Sequence, residues 1–190
     1  MKRKMDLRIL RELRAGVKEL EKMKEFAELI PEVRTNFAYA RENPKEITDV
    51  AAVDGRITVV DGRPKAAGKV KFGASDHLAR LLIEVAKYDK GLRASLNFKY
   101  DDKILRRIKS YCLRKGIFLG KIDRRKEPKE LQKEDRKSMG WKIKSLFSRS
   151  NNQIPKIFYE TEGWGKEPLF VLLGKNPREV LSIVKEILGR

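Results

Sequence analysis

The sequence predicts an α/β domain in which a mixed β-sheet carries helices on both faces. Three observations lead there. Short β-like runs alternate with stretches of helical periodicity along most of the chain. An early hairpin signal, Arg56-Ile-Thr-Val-Val60 closed by the turn pair Asp61-Gly62, demands antiparallel neighbours and so argues against a purely parallel sheet. The 190 residues suffice for one large domain, which would bury roughly 70 % of the surface its unfolded chain exposes.

In chain order, the first 30 residues read as one amphipathic helix. Leu7, Leu10, Leu13, Val17, Leu20 and Phe26 recur at helical spacing from residue 6, and Pro31 ends the run. This segment is more charged than the residues directly after it, which leaves a connector, a packing arm and a homodimer contact open. The expected division is 1–30 as an N-terminal helix and 31–190 as the main domain. Asn36-Phe-Ala-Tyr-Ala40, residues 47–53 and residues 56–60 read as the first strands, with Gly55 and Gly62 at tight turns. Phe72-Gly-Ala-Ser-Asp76 then opens a helix to residue 87, with Leu78, Leu81, Leu82 and Val85 on its apolar face and Ser75 or Asp76 as its N-cap. A strand at 93–99, a helix at 101–115, a strand at 117–122 and a helix around 141–147 come next. The polar patch Ser148-Arg-Ser-Asn-Asn-Gln153 reads as a mobile surface loop. Strands at 156–160 and 169–173 flank a glycine loop. Asn176-Pro177-Arg178-Glu179, a cap, a first-turn proline and an acid, starts the last helix on Val180, Ile183, Val184, Ile187 and Leu188.

The formal net charge is +18, and residues 99–149 alone hold eighteen Lys/Arg against seven Asp/Glu. An anionic partner is expected, either nucleic acid or a phosphorylated small molecule. The alternative reading of the same composition is the charge-dense solvated surface of a heat-adapted protein. Few aromatic residues interleave with the basic ones, and no helix-turn-helix or stacking motif stands out, so nucleic acid takes second place. The single cysteine, Cys112, rules out an internal disulfide and suits a reducing, cytoplasmic setting. No apolar run approaches the ~20 residues of a membrane span, and the basic N-terminus leads into a charged helix instead of a signal-peptide core, so neither a membrane nor a secretory destination is expected. One histidine excludes a histidine-rich zinc site. Nucleophile-elbow, dinucleotide and paired-cysteine motifs are missing from the sequence.

Four places could carry chemistry. At Gly73-Ala-Ser75-Asp-His77, free backbone N–H groups and the positive end of a helix dipole favour a phosphate. The same dipole would tend to keep His77 neutral, as a donor or proton carrier to substrate or as a structural histidine bonded to the backbone. In Glu162-Gly163-Trp-Gly165-Lys166-Glu167-Pro168, close glycines let the main chain approach a diphosphate and Lys166 adds a point charge, although the spacing is not that of a P-loop. Asp123-Arg124-Arg125-Lys126-Glu127-Pro128 lies just past a strand end, where open α/β sheets place ligands. The forks of Arg124 and Arg125 match phosphate oxygens, and Asp123 and Glu127 are candidate ligands for Mg²⁺. Asn97, polar within an apolar strand, needs either a main-chain or a ligand partner.

Read together, these segments resemble the ThiN family of thiamine-phosphate synthases, found mainly in archaea and often as the C-terminal domain of a longer protein. The resemblance runs over about residues 30–180. It rests on Ile30-Pro-Glu-Val-Arg-Thr-Asn36, Asp49-Val-Ala-Ala-Val-Asp-Gly-Arg-Ile57, Phe72-Gly-Ala-Ser-Asp-His-Leu-Ala-Arg80, residues 93–101, Asp123-Arg-Arg-Lys-Glu-Pro128 and Gly163-Trp-Gly-Lys-Glu-Pro168. It implies a three-layer α/β/α fold similar to the class II aldolase domain, with 31–190 as the catalytic part. The implied reaction is a transferase step that joins hydroxymethylpyrimidine diphosphate to thiazole phosphate, giving thiamine monophosphate and pyrophosphate, and the implied catalytic pair is Arg56 and His77. Where the family has Met-Glu-Trp-Gly, this chain reads Met139-Gly-Trp-Lys142, so a possible acidic ligand is missing. Related domains act as ligand sensors fused to a helix-turn-helix and lack the arginine and histidine pair. This chain keeps the pair and has little sequence upstream for such a fusion, so an enzyme acting on phosphorylated small molecules is expected ahead of a sensor.

Overall fold

The computed structural model describes residues 2–132, 135–163 and 165–189. Helix α1 (Lys2–Glu21) buries Ile9, Leu13, Val17 and Leu20, but it stops well short of Pro31. At 100° per residue, Phe26 on a continued helix would point roughly 120° round from Leu20. A 3₁₀ turn at Lys24–Leu29 re-aims the chain instead, and both Phe26 and Leu29 enter the core.

The remaining elements are β1 (Phe37–Ala40), β2 (Val50–Val53), β3 (Ile57–Val60), β4 (Arg63–Ala66), β5 (Val70–Phe72), α2 (Asp76–Val85), β6 (Ala94–Lys99), α3 (Asp102–Lys115), β7 (Leu119–Ile122), α4 (Lys129–Gln132), α5 (Asp135–Arg149), β8 (Ile157–Glu160), β9 (Leu169–Gly174) and α6 (Pro177–Leu188). The run expected as one strand at 47–53 begins with a 3₁₀ turn, because Asp49 accepts hydrogen bonds from the Lys45 and Glu46 amides and pulls the chain round. Ser75, Asp101 and Asn176 each cap a helix with the side chain. The 148–153 patch is not a loose loop: α5 runs through Arg149, and the Ser150 and Asn152 amides both bond to the Phe147 carbonyl, closing a tight turn on two left-handed asparagines.

Seven strands form a sheet in the order β5-β2-β1-β6-β9-β8-β7, with β7 and β8 the parallel pair and every other pairing antiparallel. Side chains alternate across it. Leu96 and Phe98 of β6 and Phe170 and Leu172 of β9 pack with α1, α3 and α6. Val171, Leu173 and Phe158 face the opposite way and pack with α2 and α5. The result is the expected mixed sheet between two helical layers. The hairpin β3–β4 stands apart as its own two-stranded sheet, turned by Asp61 (φ 49°) and Gly62 (φ 68°). Its base is tied to the main body where Thr35 and Ile57 exchange two backbone hydrogen bonds. Among the described residues no helix is long and apolar enough to cross a membrane.

Close packing of α5 against the sheet depends on Gly120 in β7. A Cβ there would lie 2.5 Å from Pro155 Cγ and 2.7 Å from Leu146 Cδ1. Gly120→Ala is therefore expected to lower unfolding stability by about 2 kcal/mol, measured by urea denaturation, because α5 must retreat to admit the methyl.

Candidate active site

A cavity of about 420 Å³ opens on the α2/α5 face, where β6 and β8 end and β1 and β9 begin. Its frame is built by two asparagines. Asn97 Oδ1 accepts from the Asn36 amide at 2.7 Å, and Asn97 Nδ2 donates to the Arg34 carbonyl. The Asn36 side chain in turn bonds the Val53 amide and carbonyl. This fixes residues 33–36 above the sheet. The Val33 amide donates to Glu167 Oε1 at 2.8 Å, and Arg56 Nη1 donates to the Val33 carbonyl. One loop therefore joins the hairpin base to the glycine loop.

Arg56 and Arg34 both have left-handed backbones, with φ of 72° and 69°. For arginine this conformation is strained, and the bonded surroundings of the hairpin base must hold it. The amino end of α2 brings Ser75 and His77 to the rim, and Gly165 (φ 66°) turns the opposite loop so that Lys166 faces them. Arg124 threads under that loop so closely that a Cβ on Gly163 would sit 3.0 Å from its Nε. At the floor, Lys142 is 1 % exposed and Glu160 4 %. Lys142 Nζ donates to Glu160 Oε2 at 2.7 Å, and Arg124 Nε lies 3.8 Å from the same oxygen. Burial pushes the Glu160 carboxyl up, but the Lys142 ammonium, then His77 and Arg124, outweigh it and hold the group below its ordinary value.

Arg56, Ser75, His77, Asn97, Arg124, Gly165 and Lys166 thus share one cavity. The other candidates do not line it. Gly73 turns the chain into α2 with φ 74°, but its amide is taken by the Val50 carbonyl. Arg125 lies in an adjoining outer cleft, with Nε and Nη2 both bonded to Asp123 at 2.9 Å. Asn97 reaches the cavity wall, yet the hydrogen bonds it makes there go to the main chain, the structural alternative of the sequence reading. Ser75 Oγ caps α2 at the Leu78 amide. The carboxylates expected to hold Mg²⁺ do not converge: Asp123 borders a separate depression beside Phe118 and Lys121, whereas Glu127 faces Arg124 in the outer cleft. The Arg125 side chain holds the Asp123 carboxyl far below the usual range. Mg²⁺ is commonly held by one or two carboxylates with substrate phosphates, but these two face different clefts and each is engaged by an arginine, so as a pair they do not fit one Mg²⁺ site.

A family model described as "Thiamine-phosphate synthase ThiN" matches residues 12–186. The chain belongs to the ThiN family. It is 35 % identical over 178 residues to thiamine-phosphate synthase ThiN of Methanothermobacter thermautotrophicus, a match covering 94 % of this chain and 91 % of that protein. It is 33 % identical over 160 residues to the bifunctional thiamine biosynthesis protein ThiDN of Methanocaldococcus jannaschii, covering 84 % of this chain and 36 % of that longer one. Among solved structures it superposes on the C-terminal domain of a phosphomethylpyrimidine kinase with a TM-score of 0.90 at 37 % identity, covering 95 % of this chain and 98 % of that domain.

Seen as a ThiN chain, its departure at 139–142 has a definite place. Gly140 faces Glu84, 3.6 Å from where a Cβ would be, and does not line the cavity, whereas Lys142 adds a buried cation at the cavity floor. Sequence reasoning missed Lys142 as a site residue along with Glu160, Arg34, Asn36 and Glu167. A signal existed for the first two. Lys142 falls beside Ile143 on the face marked by Met139, Ile143 and Leu146, and Glu160 closes the apolar run Ile157-Phe-Tyr. Trp164 of the glycine-loop motif lies outside the described residues.

Proposed function

We propose that this chain is a thiamine-phosphate synthase that joins hydroxymethylpyrimidine diphosphate to thiazole phosphate, releasing pyrophosphate. The observation that carries the proposal is the gathering of Arg56, His77, Arg124 and Lys166 around one cavity that also presents a helix amino end and the apolar side chains Leu78, Leu169 and Val171. Its volume lies within the range of small-molecule sites.

The thiazole nitrogen brings its own lone pair, so no activated side-chain nucleophile is needed. That nitrogen bonds to the methylene carbon of the pyrimidine as the bond from this carbon to the diphosphate oxygen breaks, and the electron pair leaves with the diphosphate. The barrier lies in negative charge growing on that oxygen, which preorganised donors stabilise. Arg56 and Lys166 are assigned to the leaving diphosphate, the start of α2 at Ser75 to a phosphate group, and His77 to a hydrogen bond with a substrate oxygen or the pyrimidine ring. All of these residues fall within 31–190, the part assigned to catalysis. Incubating the purified protein with both precursors and Mg²⁺ should yield thiamine monophosphate and pyrophosphate in equal amounts, detected chromatographically. Absence of product under conditions where the protein is folded would overturn the reading.

A further inference from the structure

We propose that Glu160 is the specificity-determining residue that reads the exocyclic amino group of the pyrimidine substrate. The inference rests on the thiamine-phosphate synthase reading and gives its substrate an orientation.

Glu160 ends β8 on the cavity floor, and its two carboxylate oxygens are treated unequally. Oε2 accepts the Lys142 ammonium at 2.7 Å, whereas Oε1 is buried and has no hydrogen-bond partner among the described residues. A buried carboxylate oxygen left unpaired is costly, and a ligand that supplies a donor recovers that cost. The terminal torsion of a glutamate is soft, so a modest turn offers Oε1 to a donor in the cavity, and the ammonium on the Lys142 side chain follows Oε2.

The other carboxylates of the cavity wall differ: Asp76 accepts from Arg80 with both oxygens, and Glu167, which gives Oε1 to the Val33 amide, is only part-buried, so its second oxygen is not a buried unpaired one. The rest of the charged wall donates. Of the two reactants, the pyrimidine ring carries an exocyclic amino group and the thiazole phosphate has no N–H. Glu160 therefore selects the aminopyrimidine, ring inward against Val171 and diphosphate outward toward Arg56 and Lys166.

The test compares dissociation constants, by titration calorimetry, of hydroxymethylpyrimidine diphosphate and its analogue lacking the amino group. Wild type is expected to prefer the amino compound by roughly 10²-fold, as sites built to bond a polar group reject analogues without it. In Glu160→Gln, Lys142 holds the amide oxygen and turns the NH₂ toward the cavity, a donor against a donor, so the preference should collapse to within about threefold. A merely structural role would weaken both ligands alike. Glu160→Asp keeps the charge but withdraws the oxygen, and should cut the preference at least about tenfold, which covers the case in which the glutamine variant fails to fold. A wild-type preference below about threefold, or one unchanged in either folded variant, overturns the assignment. If thiamine monophosphate still forms in that case, the Glu160 inference alone falls. If wild type makes no product, the functional reading falls and takes this one with it.

Discussion

Arg56→Ala and His77→Ala are each expected to reduce kcat/KM for thiamine monophosphate formation by roughly 10²-fold or more, with unfolding midpoints close to wild type. Both side chains are at the cavity wall and neither fills the core; Arg56 is exposed and His77 is part-buried. Removal of a preorganised donor at a site of growing charge acts on the transition state, so kcat should fall more than KM rises. Arg56 adds a second diagnostic, because its left-handed φ of 72° is retained by alanine but relaxed by glycine. Arg56→Gly should therefore be at least as stable as Arg56→Ala while equally inactive, separating the guanidinium's role from that of the backbone. Near-wild-type turnover in both alanine variants removes these two residues from the mechanism.

Lys142→Met is expected to lower stability at pH 7 by about 3–5 kcal/mol, the usual cost of stripping one partner from a buried ion pair. The methionine fills a similar volume, but Glu160 is left with its charge desolvated. Its carboxyl is held low in the wild-type fold, so the stabilisation from pairing is complete above the unfolded value near 4.3 and fades as pH falls through the folded one. In the variant the sign reverses, since burial without Lys142 raises the carboxyl pKa. The variant should recover stability as pH drops from 7 toward 5, and the gap between the two proteins should narrow in urea titrations across that range. A constant gap would show that the loss comes from packing and not from charge.

The elements that carried clear local signals were legible in the sequence. Asn176 with Pro177, Asp61 with Gly62, and Ser75 ahead of the Leu78, Leu81 and Leu82 stripe all sit where their chemistry puts them. What failed locally did so because tertiary contacts decided it. The helix ended at Glu21 because Phe26 is worth more in the core than as a continuation of the stripe. Asp123 and Glu127 are four residues apart and look like a metal pair, but an arginine claims each of them. Arg56 was accessible only through family resemblance, since no periodicity marks a left-handed arginine at a hairpin base. Lys142 and Glu160 are eighteen residues apart, and only the parallel pairing of β7 with β8, which seats α5 over the sheet, brings them into contact.

The strand order has a consequence for how the cavity is assembled. β9, the last of the seven sheet strands in chain order, lies between β6 and β8. Without β9 the strands form two disconnected groups, β5-β2-β1-β6, whose connecting segments carry Arg56 and His77, and β8-β7, which with their connecting segment carry Arg124, Lys142 and Glu160. Neither half gathers the whole cavity lining, so the cavity is completed in one step when β9 zips the halves together.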